Sequence, residues 1–383
     1  MKKVVVLGGG IGGAFAAARL AKALAERADI TLVDREGTHH FPPSYPWLVM
    51  GWRTPEQLTR PLSRLKAKGV RLRQEDVTAI DPNDRKVVTR SGKIDYDYLL
   101  VALGAQLDPA TIPGFSAAYH PYDLPGAVRL GRALREFRGG RIAIGISRLP
   151  FKCPAAPYET ALLMDYSLRR RGLRDRTEIE FFTPEPHPVP AAGEAIGKQV
   201  ERLMGQRGIP VRTRREIDHI DEGSKLVQFK GGAQARFDLL VAVPPHTTCP
   251  AVRNSDLVKG DPWIPVDRYT MRTGYDDVYA VGDVTKIPTP SGNVPALPKA
   301  GVFAERQARV AVENIAAGIL GGEGVRWDGN GLCFLESGRG RAGMVRGDFF
   351  GEAGPAIRMR RPGRLWHWTK VLTEKRWLSM LFR

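Results

Sequence analysis

The chain is predicted to be an α/β protein. Two doubly wound, largely parallel units are expected, joined to a small C-terminal unit that ends in an amphipathic helix. Three observations predict this class. A glycine-rich turn sits between an apolar strand and an Ala-rich helix at the start of the chain. The run Arg141–Ile146 (RIAIGI) begins the same strand-first pattern again in mid-chain. Two further apolar runs, Tyr96–Gly104 (YDYLLVALG) and Phe237–Val243 (FDLLVAV), read as buried strands returning to each sheet.

The first element is Val4–Leu7, apolar at every position, as a strand covered on both faces requires. Gly8, Gly10 and Gly13 then supply G-x-G-x-x-G, and an Ala-rich helix runs from about Gly12 to Glu26. Gly8 allows the tight turn, Gly10 lets the backbone approach a pyrophosphate, and Gly13 lets helix and strand pack closely. The free N–H groups of the helix start favour phosphate. A second strand, Ile30–Val33, delivers Asp34, 21 residues beyond Gly13, where a carboxylate accepts hydrogen bonds from a ribose diol. Strand, turn, helix and acid together point to a dinucleotide.

His39–Met50 (HHFPPSYPWLVM) is aromatic and proline-rich, and is expected to be a rigid loop. Leu58–Lys68 reads as helix, and Val70–Leu72, Val77–Ile80 and Lys86–Thr89 as strands. After the returning strand ending at Gly104, Leu130–Phe137 reads as helix and Arg141–Ile146 opens the second unit. That unit continues Ile146-Ser147-Arg148-Leu149-Pro150-Phe151-Lys152-Cys153-Pro154, with no glycine at the phosphate turn and two prolines across the helix start. A pyrophosphate could not approach this backbone easily, so nicotinamide dinucleotide binding is read as lost. The helix is expected to start near Ala155 instead. Val278–Asp283 (VYAVGD) carries Gly282 and Asp283 to a sheet edge, and a helix from about Pro298 runs to Leu320. Short strands follow around Leu332–Glu336 and Ala342–Val345. The division expected is 1–112 and 246–320 for the first unit, 113–245 for the second, and 321–383 for the C-terminal unit.

Composition narrows the function. At 383 residues and 43% hydrophobic content the chain supports about two or three domains. No apolar run is long enough to span a membrane, and Lys2-Lys3 lead directly into the first strand, so no signal peptide is expected. The net charge of +17 suits an anionic substrate or membrane surface. No nucleic-acid-binding motif accompanies it, and nucleic acid is not expected as a partner. Cys153, Cys249 and Cys333 are too few and too scattered for a disulfide scaffold or a metal site.

The order of motifs resembles the two-dinucleotide-domain, glutathione-reductase-type FAD-dependent disulfide oxidoreductases over roughly residues 1 to 320. That resemblance implies FAD held by Gly8, Gly10, Gly13 and Asp34, with Gly104, Gly282 and Asp283 completing the site and Asp283 on the ribityl chain. The N-terminal C-x-x-x-x-C of the disulfide reductases is absent. The sequence is more similar to the sulfide:quinone oxidoreductase branch, through FKCPAAPYE (Phe151–Glu159), VPPH (Val243–His246), PKAGVFAERQA (Pro298–Ala308), GNGLCFLESGRGRAG (Gly329–Gly343) and KVLTEKRWLSM (Lys370–Met380). In that branch two cysteines matching Cys153 and Cys333 meet at the flavin. The resemblance therefore implies that sulfide attacks a Cys153–Cys333 disulfide. Electrons then pass through FAD to a membrane quinone, and sulfur leaves as polysulfide or sulfur. The flavin-carrying cysteine of some members has no counterpart in Ala117–Asp123.

Around that pair, Glu159 reads either as a proton carrier or as a helix-start acid. Lys299 reads either as a stabiliser of anionic reduced flavin or as a solvated lysine. Cys249 is taken as a core or surface thiol. The tail mixes Trp366, Trp368, Trp377 and Leu residues with Arg and Lys; as a helix it puts Leu365, Trp368, Val371, Leu372, Leu378 and Phe382 on one side. It reads as a membrane-interface anchor, on the cytoplasmic face of the cell membrane, or as a helix packed on the protein. A homo-oligomer is compatible with the sequence. The alternatives are a flavocytochrome c-type sulfide dehydrogenase flavoprotein, a type II NADH:quinone oxidoreductase, and a nucleic-acid- or membrane-binding protein with a vestigial flavin fold.

Overall fold

The computed structural model describes residues 1–290, 292 and 296–383. The first sheet is built from β1 (Lys2–Leu7), β2 (Ala28–Val33), β3 (Val70–Arg73), β4 (Tyr98–Val101) and β9 (Val278–Ala280). They lie side by side in the order β9-β4-β1-β2-β3 and all neighbours run parallel. Val4 pairs in register with Ile30 on one side and Tyr98 on the other. Helix α1 (Ile11–Leu24) and α6 (Gly301–Leu320) cover this sheet and pack on each other. The core between them is small and aliphatic at Ala14, Ala16, Ala17, Ala308 and Ala311, which lets the two helices approach closely.

The second sheet repeats the design. Strands β5 (Gly140–Ile146), β6 (Thr177–Phe182), β7 (Val211–Arg212) and β8 (Leu239–Val243) are ordered β7-β6-β5-β8, again all parallel. Helices α3 (Leu124–Glu136), α4 (Ala156–Arg170) and α5 (Glu194–Gly205) belong to this unit. No helix follows β5 directly. The chain runs irregularly until Ala156, as the missing glycines and the prolines require. The C-terminal unit is a three-stranded antiparallel sheet of β10 (Asn330–Gly338), β11 (Arg341–Asp348) and β12 (Ala356–Gly363), followed by α7 (Arg364–Phe382).

Four sequence expectations need correction. The stretch 39–50 is not a loop throughout: after a 3-10 turn at Pro42–Ser44 it forms α2 (Tyr45–Val49), because a proline in the first turn fits a helix start. The helix expected over 58–68 is a short strand, Thr59–Pro61, then a 3-10 run, Leu62–Lys68. Strand β12 is not among the strands expected from the sequence. It alternates exposed Arg358 and Arg360 with half-buried Ile357 and Met359, the period of a one-sided strand. The single apolar side expected for the tail is divided: Val371, Leu378 and Phe382 face inward, whereas Leu365, Trp368 and Leu372 face solvent.

One buried carboxylate fastens the second unit to the C-terminal sheet. Asp165 of α4 is fully buried and receives Arg169 at 3.0 Å, Arg174 at 2.7 Å and Arg207 at 3.1 Å. Arg207 also donates to the Ser337 carbonyl of β10 at 3.1 Å. Substituting Asp165→Asn removes the negative charge from three guanidinium groups. It is expected to cost about 3 kcal/mol, read as a lowered urea midpoint of the purified protein. An unchanged midpoint contradicts this anchoring role.

Candidate active site

The glycine turn forms a cradle at the C-terminal edge of the first sheet. Gly8 takes a left-handed φ of +97°. A Cβ at Gly13 would collide with the Gly8 carbonyl, so helix and turn touch there without a side chain between them. A Cβ at Gly10 would meet nothing within 4 Å; the space beside it is open. Asp34 braces the same loop, accepting from the N–H groups of Gly9 at 2.7 Å and of Glu36 and Gly37 at 2.9 Å. Gly104, at φ +66°, and Gly282, at φ +78°, terminate the neighbouring strands, and the Gly282 N–H donates to Gln307. Asp283 follows. It is held above the usual carboxylate range by burial, and its Oδ1 has no hydrogen-bond partner among the described residues. An orphaned buried carboxylate oxygen beside a glycine cradle is what a hydroxyl-bearing dinucleotide needs. The residues present fit FAD.

Cys153 lies on the irregular turn after β5, in the left-handed region at φ +55°. Its N–H donates to the Lys299 carbonyl at 2.6 Å, and Lys152 bridges to Lys299 beside it. This contact ties the second unit to the segment entering α6. Lys299 is not a free surface lysine. Its Nζ donates to the carbonyls of Asp283 at 2.8 Å and Thr285 at 2.9 Å, and lies 3.5 Å from the centre of the Trp263 ring. Burial lowers its pKa to about 8, with Asp283 and Asp261 working the other way. Helix α6 begins two residues later, at Gly301.

Cys333 lies on β10, which packs against α4. Burial pushes both thiols up, and the neighbouring Cys333 and Glu159 push Cys153 further. All three cysteines are free thiols in this structure. Cys249 sits apart, against the first core, before a helical turn at Pro250–Arg253.

The wall behind the pair is unexpectedly charged. Glu159, Glu336 and Lys370 are all buried, from α4, β10 and α7 respectively. Lys370 Nζ donates to Glu159, and His367 Nδ1 lies 2.9 Å from Glu336. Burial works to discharge Lys370, but Glu159 and Glu336 outweigh it and keep its pKa raised. Burial raises Glu159, offset in part by Lys370. Trp47 of α2 meets two cations, Lys370 at 4.7 Å from its ring centre and Arg53 at 4.6 Å. Further along α7, Trp377 stacks on Phe15 at 5.8 Å and donates from Nε1 to His39 Nε2 at 3.2 Å. His39 Nδ1 in turn lies 2.9 Å from the Gly9 carbonyl. Burial lowers His39 to about pH 4, so the ring is neutral, donating to Gly9 and accepting from Trp377.

The structure thus brings Cys153, Cys333 and Glu159 to one place and sets Lys299 at the Cys153 turn. Gly8, Gly10, Gly13, Asp34, Gly104, Gly282 and Asp283 lie at strand ends or turns of the first unit. Lys370, Glu336, His367, His39 and Trp377 were missed as site-building residues. Lys370 and Glu374 are spaced like a solvated i,i+4 pair, and only their distant partners reveal them as buried.

Comparison with known proteins gives the same outline. The pyridine nucleotide-disulphide oxidoreductase family model matches residues 2–144 and 164–312. The interval between the two matched segments, 145–163, contains the glycine-less turn carrying Cys153 and the first half of α4, and residues 313–383 also lie outside the match. The sulfide-quinone reductase of Aquifex aeolicus is 30% identical over 83% of this chain and 77% of its own length. The mitochondrial sulfide:quinone oxidoreductase of Dictyostelium discoideum is 26% identical over 75% of this chain, which spans 66% of that protein. The crystal structure of the Aquifex aeolicus sulfide:quinone oxidoreductase superposes with a TM-score of 0.90 at 26% identity, covering 100% of this chain and 91% of that one.

The cradle geometry separates two glycines that look alike in sequence. Gly10→Ala is expected to leave the fold intact, because the protein has room for its Cβ, yet to lose bound flavin. Gly13→Ala is expected to lose both flavin and thermal stability. Absorbance of the purified variants and their melting temperatures check this; a Gly10→Ala protein that keeps its flavin contradicts it.

Proposed function

The chain belongs to the sulfide:quinone oxidoreductase branch of the pyridine nucleotide-disulphide oxidoreductase family, and we propose that it oxidises sulfide at a Cys153–Cys333 redox pair and delivers the electrons to a membrane quinone. The observation that carries the reading is the convergence of those two cysteines. One stands on the turn where a second dinucleotide would otherwise sit, and the other on a C-terminal strand. FAD held at the glycine cradle supplies the two-electron relay between thiols and quinone.

The chain's own residues account for the remaining work. In the oxidised pair, a hydrosulfide attacks one sulfur and expels the other as thiolate. Burial opposes that charge, and Lys370 lowers the cost at Cys333. Regenerating the disulfide removes protons from buried thiols. Glu159, with its raised carboxyl pKa and its contact to Lys370, is positioned to accept them. Glu336 and the partly exposed His367 continue the polar path toward the surface. Lys299 places a cation and Asp283 an acceptor on the cofactor side of the Cys153 turn.

Quinone access is assigned to α7. No helix among the described residues is long and apolar enough to cross a membrane. The outward face of α7, however, exposes Leu365 (66%), Trp368 (60%) and Leu372 (64%) in an i, i+3, i+7 row. Exposed Arg358, Arg360, Arg361, Arg364, Lys375 and Arg376 surround it. Apolar side chains ringed by cations suit the interface of an anionic bilayer. The enzyme is thus read as peripheral, its inward helix face building the site and its outward face meeting lipid.

Anaerobic addition of sulfide to the flavin-loaded protein is expected to bleach the flavin, and Cys153→Ser or Cys333→Ser to abolish the response. Fast bleaching by NADH with none by sulfide would favour the NADH:quinone reading instead. Replacing Leu365, Trp368 and Leu372 together by Ser should reduce co-flotation with anionic liposomes roughly a hundredfold while leaving sulfide bleaching intact. Undiminished flotation removes α7 as the anchor.

A further inference from the structure

Two buried polar atoms beside the Cys153 turn have no partner among the described residues: the Tyr122 hydroxyl and His246 Nε2. Both side chains are more than nine-tenths buried, Tyr122 at 5% exposure and His246 at 7%. Their rings meet edge-on at 5.4 Å. Neither has a packing reason to leave a polar atom unsatisfied, and each such atom carries a desolvation cost.

Their chemistry is complementary. His246 Nδ1 lies 2.8 Å from the Pro244 carbonyl, so it carries the proton and Nε2 is a bare acceptor. Burial, with Lys152 and then Lys299 nearby, lowers His246 to about pH 3 and keeps the ring neutral. Tyr122 offers an O–H donor that burial keeps protonated, with Cys153 the foremost of the charges that add to it. A donor and an acceptor, with the cations Lys152 and Lys299 near the imidazole, match a small anion that bears one hydrogen. Hydrosulfide is such a species: its charged sulfur accepts a hydrogen bond from the phenol O–H, and its S–H donates to the imidazole Nε2. Glu159 and Lys370 lie near both thiols, and they are an ion pair already satisfied.

We propose that Tyr122 and His246 form the hydrosulfide-binding pocket of this enzyme and direct the incoming sulfur onto Cys153. The proposal rests on the sulfide-oxidising reading above. In the step it describes, a bond forms between the hydrosulfide sulfur and Cys153 Sγ while the Cys153–Cys333 bond breaks. The electron pair of that bond leaves on Cys333 Sγ as thiolate, near Lys370. The sulfide sulfur is oxidised to sulfane level and the disulfide is reduced by the same two electrons. The proton stays on the terminal sulfur of Cys153–S–SH, donated toward His246 Nε2.

The test is an anaerobic stopped-flow titration of the flavin-loaded enzyme with sodium sulfide, on wild type, Tyr122→Phe and His246→Asn. Each variant removes one hydrogen bond to a charged ligand. Each is expected to raise the sulfide concentration for half-maximal bleaching about tenfold or more. Bleaching by dithiothreitol, which needs the disulfide and flavin but not the pocket, should stay at the wild-type rate. Mass mapping after one equivalent of sulfide should find the added sulfur on the Cys153 peptide. Half-saturation unchanged in both variants, or sulfur on the Cys333 peptide, overturns the pocket while the wild-type response upholds sulfide oxidation. A wild-type enzyme that does not bleach with sulfide overturns the functional reading itself. Equal losses with sulfide and dithiothreitol would mark the two residues as structural and overturn the pocket.

Discussion

The hydrogen bond from the Cys153 N–H to the Lys299 carbonyl is the contact on which the site depends. Cys153 occupies a left-handed conformation that L-residues adopt at a cost of roughly 1–2 kcal/mol. One hydrogen bond of about 1 kcal/mol does not offset that cost alone. The conformation persists because Lys299 is fixed at its other end, where Nζ is held by two carbonyls and the Trp263 face. One residue thus locks the turn of the second unit to the strand end that carries Asp283. The Cys153 turn is thus held against the segment entering α6 through its backbone.

The second constraint is the burial of charge under α7. Lys370 is surrounded by two carboxylates, and Glu374 is held by Arg53 and Ser44. Such pairs seldom add stability relative to apolar packing, but breaking one is costly, so they fix how the helix docks. Trp377, His39 and Gly9 extend the same docking to the glycine turn. The helix that is read as touching the membrane is therefore also part of the wall behind the cysteines and of the support for the cradle. The helix buries charged pairs beside its inward apolar residues and leaves Leu365, Trp368 and Leu372 exposed in an outward row, the pattern of an interaction surface.

Much of this was legible in the sequence where backbone geometry dictates residue identity. Gly8, Gly10, Gly13 and Asp34 are readable because few residues fit a turn under a pyrophosphate. The absent glycines after Ile146 were equally readable, and Ser147–Ala155 indeed builds no helix start. The cysteine pair came from resemblance, since nothing local distinguishes Cys153 or Cys333 from a core thiol. The inner face of α7 was not legible: Lys370 finds Glu159 across 211 residues, and Trp377 finds His39 across 338. Tyr122 was silent for the same reason, and His246 stood out only as the end of the VPPH stretch, because an unsatisfied atom exists only once its surroundings are built. Strand β12 was hidden by its arginines, which occupy the solvent side of an otherwise regular alternation.

The proposed chemistry requires that Cys153 and Cys333 form one redox pair. Peptide mapping of the air-oxidised enzyme under non-reducing conditions tests it directly. A Cys153–Cys333 cross-linked peptide is expected, which disappears when one equivalent of sulfide is added anaerobically, with Cys249 free throughout. Recovery of Cys153 and Cys333 as separate thiols in the oxidised enzyme, or a bridge that involves Cys249, would contradict it.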